Sequence, residues 1–215
     1  MVCADCDAGL PRNQHACQQC AVPLAQTADA AWCGECLRRP PPFNHTFAPF
    51  IYQSFIRDWI SQFKYQHALH WGRWLGTALG QAMQAQQPTV ELIVPVPLHA
   101  TRLCQRGFNQ TAELAHWVSR QLQIPWQTDI LQRIHQGMAQ RGLSRQERQR
   151  NMQHQFRIMK PPAAQHIALL DDVVTTGATV RAAARTLRQA GVSRVVVWAV
   201  ARTPKPDTAY LQQQE

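Results

Sequence analysis

Apolar residues form two kinds of segment in the second half of the chain. Residues 90–94 (VELIV), 166–170 (HIALL) and 193–200 (SRVVVWAV) are short and almost continuously apolar, as expected of strands buried on both faces of a sheet. Residues 108–123 and 177–191 carry apolar side chains three or four positions apart, which predicts amphipathic helices. This alternation predicts an α/β fold with a mostly parallel sheet and right-handed crossovers.

Residues 43–88 predict a connecting lobe of two helices, over residues 55–65 and 71–86. The apolar face of the first helix is expected to comprise Phe55, Trp59, Ile60 and Phe63. Residues 133–160 differ, since they contain seven basic residues and one acid and too few apolar residues for a core helix. This segment is either an exposed, mobile, cationic excursion from the sheet or a plain solvated helix.

The composition limits the class of protein. The chain has 215 residues, 45% of them apolar, which is enough for one ordinary domain with a core and a small appendage. No apolar run approaches the roughly 18 residues of a membrane helix, and the first ten residues lack the pattern of a secretory signal. We therefore expect a cytoplasmic protein without membrane insertion.

The chain is strongly basic, with a net charge of +9, and arginine supplies most of that charge: 19 Arg against 3 Lys. The planar guanidinium group can grip a phosphate at two points. The composition is therefore compatible with phosphorylated small molecules or nucleic acid as partners, and equally with a basic surface that serves solubility alone.

Six of the seven cysteines lie in the first 36 residues, as three Cys-x-x-Cys pairs. The last two pairs have the spacing of a zinc ribbon. Their members, the predicted ligands of one structural Zn²⁺, are Cys17, Cys20, Cys33 and Cys36. The alternative is a set of free or redox-active thiols.

The first pair, Cys3 and Cys6, supplies half of a second site. Three interpretations stay open: the start of the sequence is truncated, the site borrows His15 and another ligand, or it holds no metal.

Two adjacent acids, Asp171 and Asp172, follow a buried strand. The next turn, at the start of a helix, contains Thr175, Thr176, Gly177, Ala178 and Thr179. Free N–H groups and the helix dipole make such a turn an anion site, and Gly177 would let the backbone approach the anion. Carboxylates repel phosphate but accept hydrogen bonds from a sugar diol, so the segment predicts a ligand shaped like ribose 5-phosphate.

A second basic turn lies in residues 93–111 (IVPVPLHATRLCQRGFNQT). Arg102 and Arg106 could neutralise pyrophosphate, Gly107 could allow close approach, and Asn109 could cap the next helix. The alternative is that Arg106 and Asn109 only brace the turn.

Three motifs carry a resemblance to known proteins. Four apolar residues, two acids and TTGAT resemble the fingerprint of type I phosphoribosyltransferases, which bind 5-phosphoribosyl 1-pyrophosphate (PRPP). RGFNQ at 106–110 and CLRRPPPF at 36–43 resemble the ComF family of competence-associated, GntX-like proteins. The same resemblance extends to the spacing of Gln140, Arg148, Asn151 and Phe156, in a region that closes over the ligand in phosphoribosyltransferases.

The resemblance implies a domain organisation. A zinc ribbon would occupy residues 1–42, a type I phosphoribosyltransferase-like domain residues 43–203, with its core at 90–202, and a disordered tail residues 204–215.

The resemblance also implies a ligand, PRPP with Mg²⁺, and leaves two functions open. The first is an enzyme that transfers phosphoribose to an unknown acceptor, with Asp171 and Asp172 holding the ribose. The second is a non-catalytic PRPP-binding module that contacts single-stranded DNA or competence-machinery proteins during DNA uptake.

Overall fold

A parallel sheet organises the part of the chain that the computed structural model describes, residues 2–25, 31–134 and 155–205. In chain order the elements are α1 (Ala4–Ala8), α2 (Gly34–Arg38), β1 (Thr46–Phe47), β2 (Phe50–Ile51), α3 (Ser54–Tyr65), α4 (Leu69–Gln84), β3 (Leu92–Pro95), α5 (Ala100–Arg106), α6 (Gln110–Leu122), β4 (Leu131–Arg133), β5 (Phe156–Ile158), β6 (His166–Val174), α7 (Ala178–Gln189) and β7 (Arg194–Arg202). The strand order is β1-β7-β6-β3, with β2 also on β7, and all these pairs are parallel. The predicted α/β class with a mostly parallel sheet is confirmed.

The central strands are buried on both faces, which explains their continuous apolar sequences. Along β6, Ile167 and Leu169 join one hydrophobic cluster together with residues of α7. Ala168 and Leu170 join the opposite cluster, which contains residues of α3, α4 and α6. Neighbouring residues of a strand point to opposite faces, so a strand covered by helices on both sides needs apolar side chains at every position.

The prediction is wrong for one residue of the apolar face of α3. Phe55 is 52% exposed, whereas its neighbour Ile56 is fully buried. The buried face of α3 consists of Ile56, Trp59, Ile60 and Phe63. Phe55 lies at the edge of that face and stacks on Trp59, with ring centroids 6.0 Å apart.

Several elements were not predicted. The segment 43–88 begins with β1 and β2, which extend the sheet along β7 before the two helices. The turn expected after β3 contains the helix α5. Strands β4 and β5 form a separate antiparallel pair.

Parts of two predicted segments lie outside the described residues. Of the cationic segment 133–160, the structure describes only its two ends, and residues 135–154 lie outside. Of the predicted tail, it describes only Pro204 and Lys205. Among the residues it does describe, no helix has the length and apolar character needed to cross a bilayer.

Helix α4 packs closely against α6 through glycines. A Cβ atom added at Gly76 would lie 2.7 Å from Trp117 Cβ and 3.2 Å from the carbonyl oxygen of Leu114. At Gly80 an added Cβ would lie 2.7 Å from Gln121 Cβ. The two helices can therefore approach this closely only because glycine has no side chain at these positions.

We expect Gly76→Ala to lower the free energy of unfolding by about 1–3 kcal/mol through overpacking, less the gain of about 1 kcal/mol in helix propensity. Urea unfolding measures the change. Gly34→Ala is the matched control, because an added Cβ there has no neighbour within 4 Å, and it should not destabilise the protein. A Gly76→Ala protein about 1 kcal/mol more stable than the wild type, as helix propensity alone would give, would contradict the packing described.

Candidate ligand-binding site at the carboxyl end of the sheet

The two acids lie within the last residues of strand β6, and not beyond its end. The strand continues through Asp171 and Asp172 to Val174, and both side chains are buried, with exposed fractions of 9% and 4%. The backbone N–H of Asp172 donates to Asp171 Oδ1 over 2.9 Å, and that of Val173 donates to Asp172 Oδ1 over 2.7 Å. These local hydrogen bonds orient both carboxyl groups.

Lys64 forms the ion pair that balances the acids. It lies in the last turn of α3, and its Nζ is 2.7 Å from Asp172 Oδ2. Burial alone would lower the pKa of Lys64, but the charge and hydrogen bond of Asp172, with the charge of Asp171, outweigh it and raise that pKa. No local pattern marks Lys64, which precedes Asp172 by more than a hundred residues.

The carboxylate that Lys64 contacts is that of Asp172 and not that of Asp171. Burial, together with the negative charge of Asp172, raises the pKa of Asp171 to about 7. The carboxyl group of Asp171 can therefore gain or lose a proton near neutral pH.

The Thr-Gly turn occupies the predicted position. Helix α7 begins at Ala178, directly after Gly177, whose φ is 78°. Thr176 Oγ1 accepts a hydrogen bond from the N–H of Ala178 over 3.3 Å, while Thr175 and Thr176 are exposed. An added Cβ at Gly177 would meet no atom closer than 3.8 Å, so the left-handed backbone, and not crowding within the protein, requires glycine here.

Two adjoining cavities bring the predicted residues together. The smaller is lined by Asp171, Val173, Val174, Thr175, Gly177, Ala178, Thr179 and Val180. The larger has Asp171, Val173 and Thr179 in common with it. Its charged lining residues are Lys64, Arg102, Arg106, Arg133, Asp171 and Asp172. The turn at the start of α7 and the arginines of α5 therefore face one continuous depression.

The residues after α5 have structural roles in the turn. Gly107, with φ of 76°, ends the helix, and the Oδ1 atom of Asn109 caps α6 by accepting from the N–H of Thr111 over 3.2 Å. Arg106 donates to Gln110 Oε1, and its guanidinium lies 5.2 Å from the ring centroid of Tyr65. Arg106 thus braces the turn and lines the cavity, whereas Gly107 and Asn109 lie outside the lining.

Arg133 was not predicted as a site residue. It ends β4 and reaches the same cavity as Arg102, with its guanidinium 5.6 Å from the ring centroid of Phe156. The other residues of the predicted closing segment, Gln140, Arg148 and Asn151, lie outside the described residues.

A second depression lies at the opposite ends of the strands. Its volume is about 240 Å³, against about 150 Å³ for the arginine-lined cavity. It is lined by His45, His166, Arg194 and Trp198 among others, and none of the predicted ligand residues reaches it. Ligands of open parallel sheets bind beyond the carboxyl ends of the strands. The arginine-lined cavity, together with the adjoining cavity of the Thr-Gly turn, is therefore the candidate site.

The four predicted metal ligands form a buried cluster. Sγ atoms of Cys17, Cys20, Cys33 and Cys36 all lie within 4.8 Å of one another, and those of Cys20 and Cys33 are 3.6 Å apart. Tetrahedral Zn²⁺ with bonds of about 2.3 Å holds its sulfur ligands about 3.8 Å apart. These four cysteines could therefore hold a metal ion.

The pair Cys3 and Cys6 is different. Both are exposed, and the N–H of Cys6 lies 3.5 Å from Cys3 Sγ. Within the described residues, they join no group of three potential metal ligands.

Comparison with known proteins places the chain in a family. No protein-family model matches the sequence. The DNA utilization protein YhgH of Escherichia coli is 32% identical over 207 residues, which cover 94% of this chain and 90% of that protein. Competence protein F of Haemophilus influenzae is 32% identical over 194 residues, which cover 86% and 84%. The chain belongs to the family of YhgH and competence protein F, the ComF family.

Solved structures resemble this ComF-family chain more distantly. A glutamine phosphoribosylpyrophosphate amidotransferase from B. subtilis has a TM-score of 0.43 and 18% identity, over 60% of this chain and 26% of that one. A hypoxanthine phosphoribosyl transferase from Trypanosoma cruzi has a TM-score of 0.37 and 13% identity, over 62% and 74%.

The raised pKa of Asp171 predicts a pH-dependent stability. The pKa is about 7 in the folded protein, against an ordinary 3.8, so the folded state holds this proton more tightly and wild-type stability falls as pH rises from about 4 to about 7. Asp171→Asn removes the titration. We expect its stability, relative to wild type, to increase across that window and then level off, as measured by urea unfolding.

The control is Asp58→Asn, because the Asp58 side chain is 54% exposed and should change stability by less than about 0.5 kcal/mol. A stability difference between Asp171→Asn and wild type that stays constant with pH would show that Asp171 is ionised throughout.

Proposed function

We propose that this ComF-family protein binds PRPP in the depression at the carboxyl end of the sheet. The observation that carries the proposal is the position of Asp171 and Thr179, which line both the cavity of the Thr-Gly turn and the cavity of the arginines. A ligand with a phosphate at one end, a sugar in the middle and further phosphates at the other end matches this distribution of charge.

The 5-phosphate fits the turn at the start of α7. The first amides of a helix and its dipole attract an anion, and Thr175, Thr176 and Thr179 add hydroxyl groups. Helix α7 has no acidic residue in its first turn, so no carboxylate of the helix itself opposes a phosphate. Each charge-assisted hydrogen bond contributes about 1.5–3 kcal/mol, so several of them together would supply the roughly 8 kcal/mol of micromolar binding.

The ribose hydroxyls would lie over Asp171, which borders both cavities, and less directly over Asp172, whose oxygens already bind Lys64 and the N–H of Val173. Lys64 would hold the second carboxylate in place through their ion pair. The pyrophosphate would face Arg102, Arg106 and Arg133. Mg²⁺ would arrive with it, since phosphate oxygens supply most of its ligands in such sites.

A role in DNA utilization or uptake is the biological context that the names of the relatives support, DNA utilization protein YhgH and competence protein F. The net charge of +9 suits contact with single-stranded DNA, to which arginines can bind without reading bases. We place the protein in the cytoplasm, because reduced four-cysteine sites are typical of reducing compartments.

Transfer of phosphoribose is a second candidate, favoured by the buried acid pair. Positive charge develops on the ribose ring as pyrophosphate leaves, and carboxylates fixed beside the ring stabilise it electrostatically. This activity requires an acceptor, which the residues around the depression do not identify.

We further propose that Cys17, Cys20, Cys33 and Cys36 hold one structural Zn²⁺. Four thiolates suit zinc and leave no open coordination position for catalysis. Burial raises the pKa of Cys36 to about 12, so its thiolate needs a cation to stabilise it.

PRPP binding is tested by calorimetric titration in the presence of Mg²⁺. We expect Arg102→Gln to weaken binding at least about tenfold, equivalent to about 1.4 kcal/mol. Arg185→Gln is the matched control, because Arg185 is an exposed arginine of α7 away from both cavities, and it should bind like wild type. Absence of binding to the wild type would refute the proposal.

Pyrophosphate release in the same samples, with candidate bases or single-stranded DNA added, separates the two functions. Sustained release supports transfer, whereas binding without release supports a non-catalytic module.

The zinc proposal predicts one equivalent of zinc by elemental analysis of the full chain, lost in Cys33→Ser. Zinc binding contributes about 10–16 kcal/mol in small four-ligand sites, so the N-terminal segment should unfold with it. Cys104→Ser is the control, because Cys104 lies on α5 outside the cluster. A folded N-terminal segment without zinc would contradict the assignment.

A further inference from the structure

Strand β7 ends in a buried arginine that contacts two other segments of the chain. Arg202 is 5% exposed, and its Nε donates to the carbonyl oxygen of Cys20 over 2.9 Å. Its Nη1 donates to the carbonyl oxygens of Val174 over 2.8 Å, of Thr203 over 3.0 Å, and of Thr175. One side chain therefore joins the cysteine cluster to the residues that enter the Thr-Gly turn.

The charge of Arg202 has no carboxylate partner. Among the ion pairs of the described residues, none includes Arg202, and its hydrogen-bond acceptors are all backbone carbonyls. A buried charge is costly unless it is compensated. Four thiolates around Zn²⁺ carry a net charge of −2, so the loaded cysteine site would supply a counter-charge beside Arg202.

A second contact joins the cysteine segment to the far side of the turn. Arg181, in the first turns of α7, lies with its Nη2 3.7 Å from Glu35 Oε1 and donates from Nη1 to the carbonyl oxygen of Arg39 over 3.4 Å. Glu35 also pairs with Lys205 at 3.1 Å. Residues of the N-terminal part of the chain thus contact both sides of the Thr-Gly turn. The buried Arg202 makes the contact before the turn, and the more exposed Arg181 makes the contact after it.

We propose that Arg202 is a positioning residue that makes the geometry of the Thr-Gly turn depend on the metal in the cysteine site. The inference rests on the proposed function, since the turn is taken to be the phosphate site. With the metal bound, Arg202 is held between Cys20 and the carbonyls of Val174 and Thr175, and the turn keeps its phosphate-ready shape. Without the metal, Arg202 loses its counter-charge and the Cys20 end of its anchor.

This coupling has a reciprocal consequence. If loss of the metal weakens phosphate binding by a given factor, phosphate binding must strengthen metal retention by the same factor. The N-terminal segment would therefore act as a sensor of metal availability for the ligand site, and not as a separate appendage.

The first experiment needs no ligand. Hydrogen exchange of the amides in residues 174–178 is measured in the full-length protein, with metal bound and after chelation, for wild type and Arg202→Gln. In wild type we expect chelation to speed exchange at least about tenfold in this turn and to leave β3 unchanged. In metal-loaded Arg202→Gln the turn should already exchange fast while one equivalent of metal is retained, so chelation should add little. Additive effects of chelation and substitution would overturn the proposal, because independent changes add.

The second experiment tests the reciprocity on the unmodified protein, so it stands even if Arg202→Gln does not fold. The distribution of the metal between the protein and a chelator of known affinity is measured at equilibrium, with and without PRPP and Mg²⁺. We expect PRPP to raise the metal affinity by the factor by which chelation weakens PRPP binding. Arg102→Gln, which keeps Arg202 but binds PRPP poorly, shows any direct effect of PRPP on the chelator. Equal metal affinity with and without saturating PRPP would overturn the coupling.

The two experiments distinguish the two proposals. If loaded wild type fails to bind PRPP, the proposed function fails, and the exchange data still decide whether Arg202 positions the turn. If PRPP binds, but neither its affinity nor the amide exchange rate of the turn depends on the metal, the proposed function stands and the proposed role of Arg202 is wrong.

Discussion

Burying two adjacent carboxylates at the end of a strand costs free energy that the surrounding protein has to offset. Asp171 and Asp172 are buried, and the chain compensates by bringing Lys64, from helix α3, to within 2.7 Å of Asp172. The end of β6 therefore has to lie beside the end of α3. The hydrophobic cluster shared by α3, α4, α6 and β6 fixes these two elements relative to each other. Asp172 is thereby paired with a cation, while Asp171 has its pKa raised to about 7.

The two acids therefore differ in chemistry although they are neighbours in sequence. Asp172 is satisfied by the protein itself, through Lys64 and the N–H of Val173. Asp171 borders both cavities and is the one whose charge a ligand can change. This division of roles comes from the environment of each carboxyl group, since the two side chains are chemically identical.

The arginines divide in a similar way. Arg102 and Arg133 line the depression, where an anionic ligand would meet them. Arg188 instead donates to the carbonyls of Val192 and Ser193, and Arg202 bonds the backbone at the end of β7. A high arginine content therefore does not by itself mark a binding surface, because some of these residues donate to backbone carbonyls of the protein itself.

The sequence by itself determined the features that depend on local pattern. The continuous apolar runs indicated β6 and β7, the spacing of the cysteines indicated their cluster, and Gly177 followed by Ala178 indicated the start of α7, because each depends on residues close in the chain. Short strands such as β1 and β2 were missed, since two residues have no period to detect. Only the tertiary structure decided that Lys64 meets Asp172, that Arg133 joins Arg102, and that Arg202 links Cys20 to Thr175. These contacts join residues more than twenty positions apart, and which of many charged side chains meet is decided by the packing of the elements that carry them.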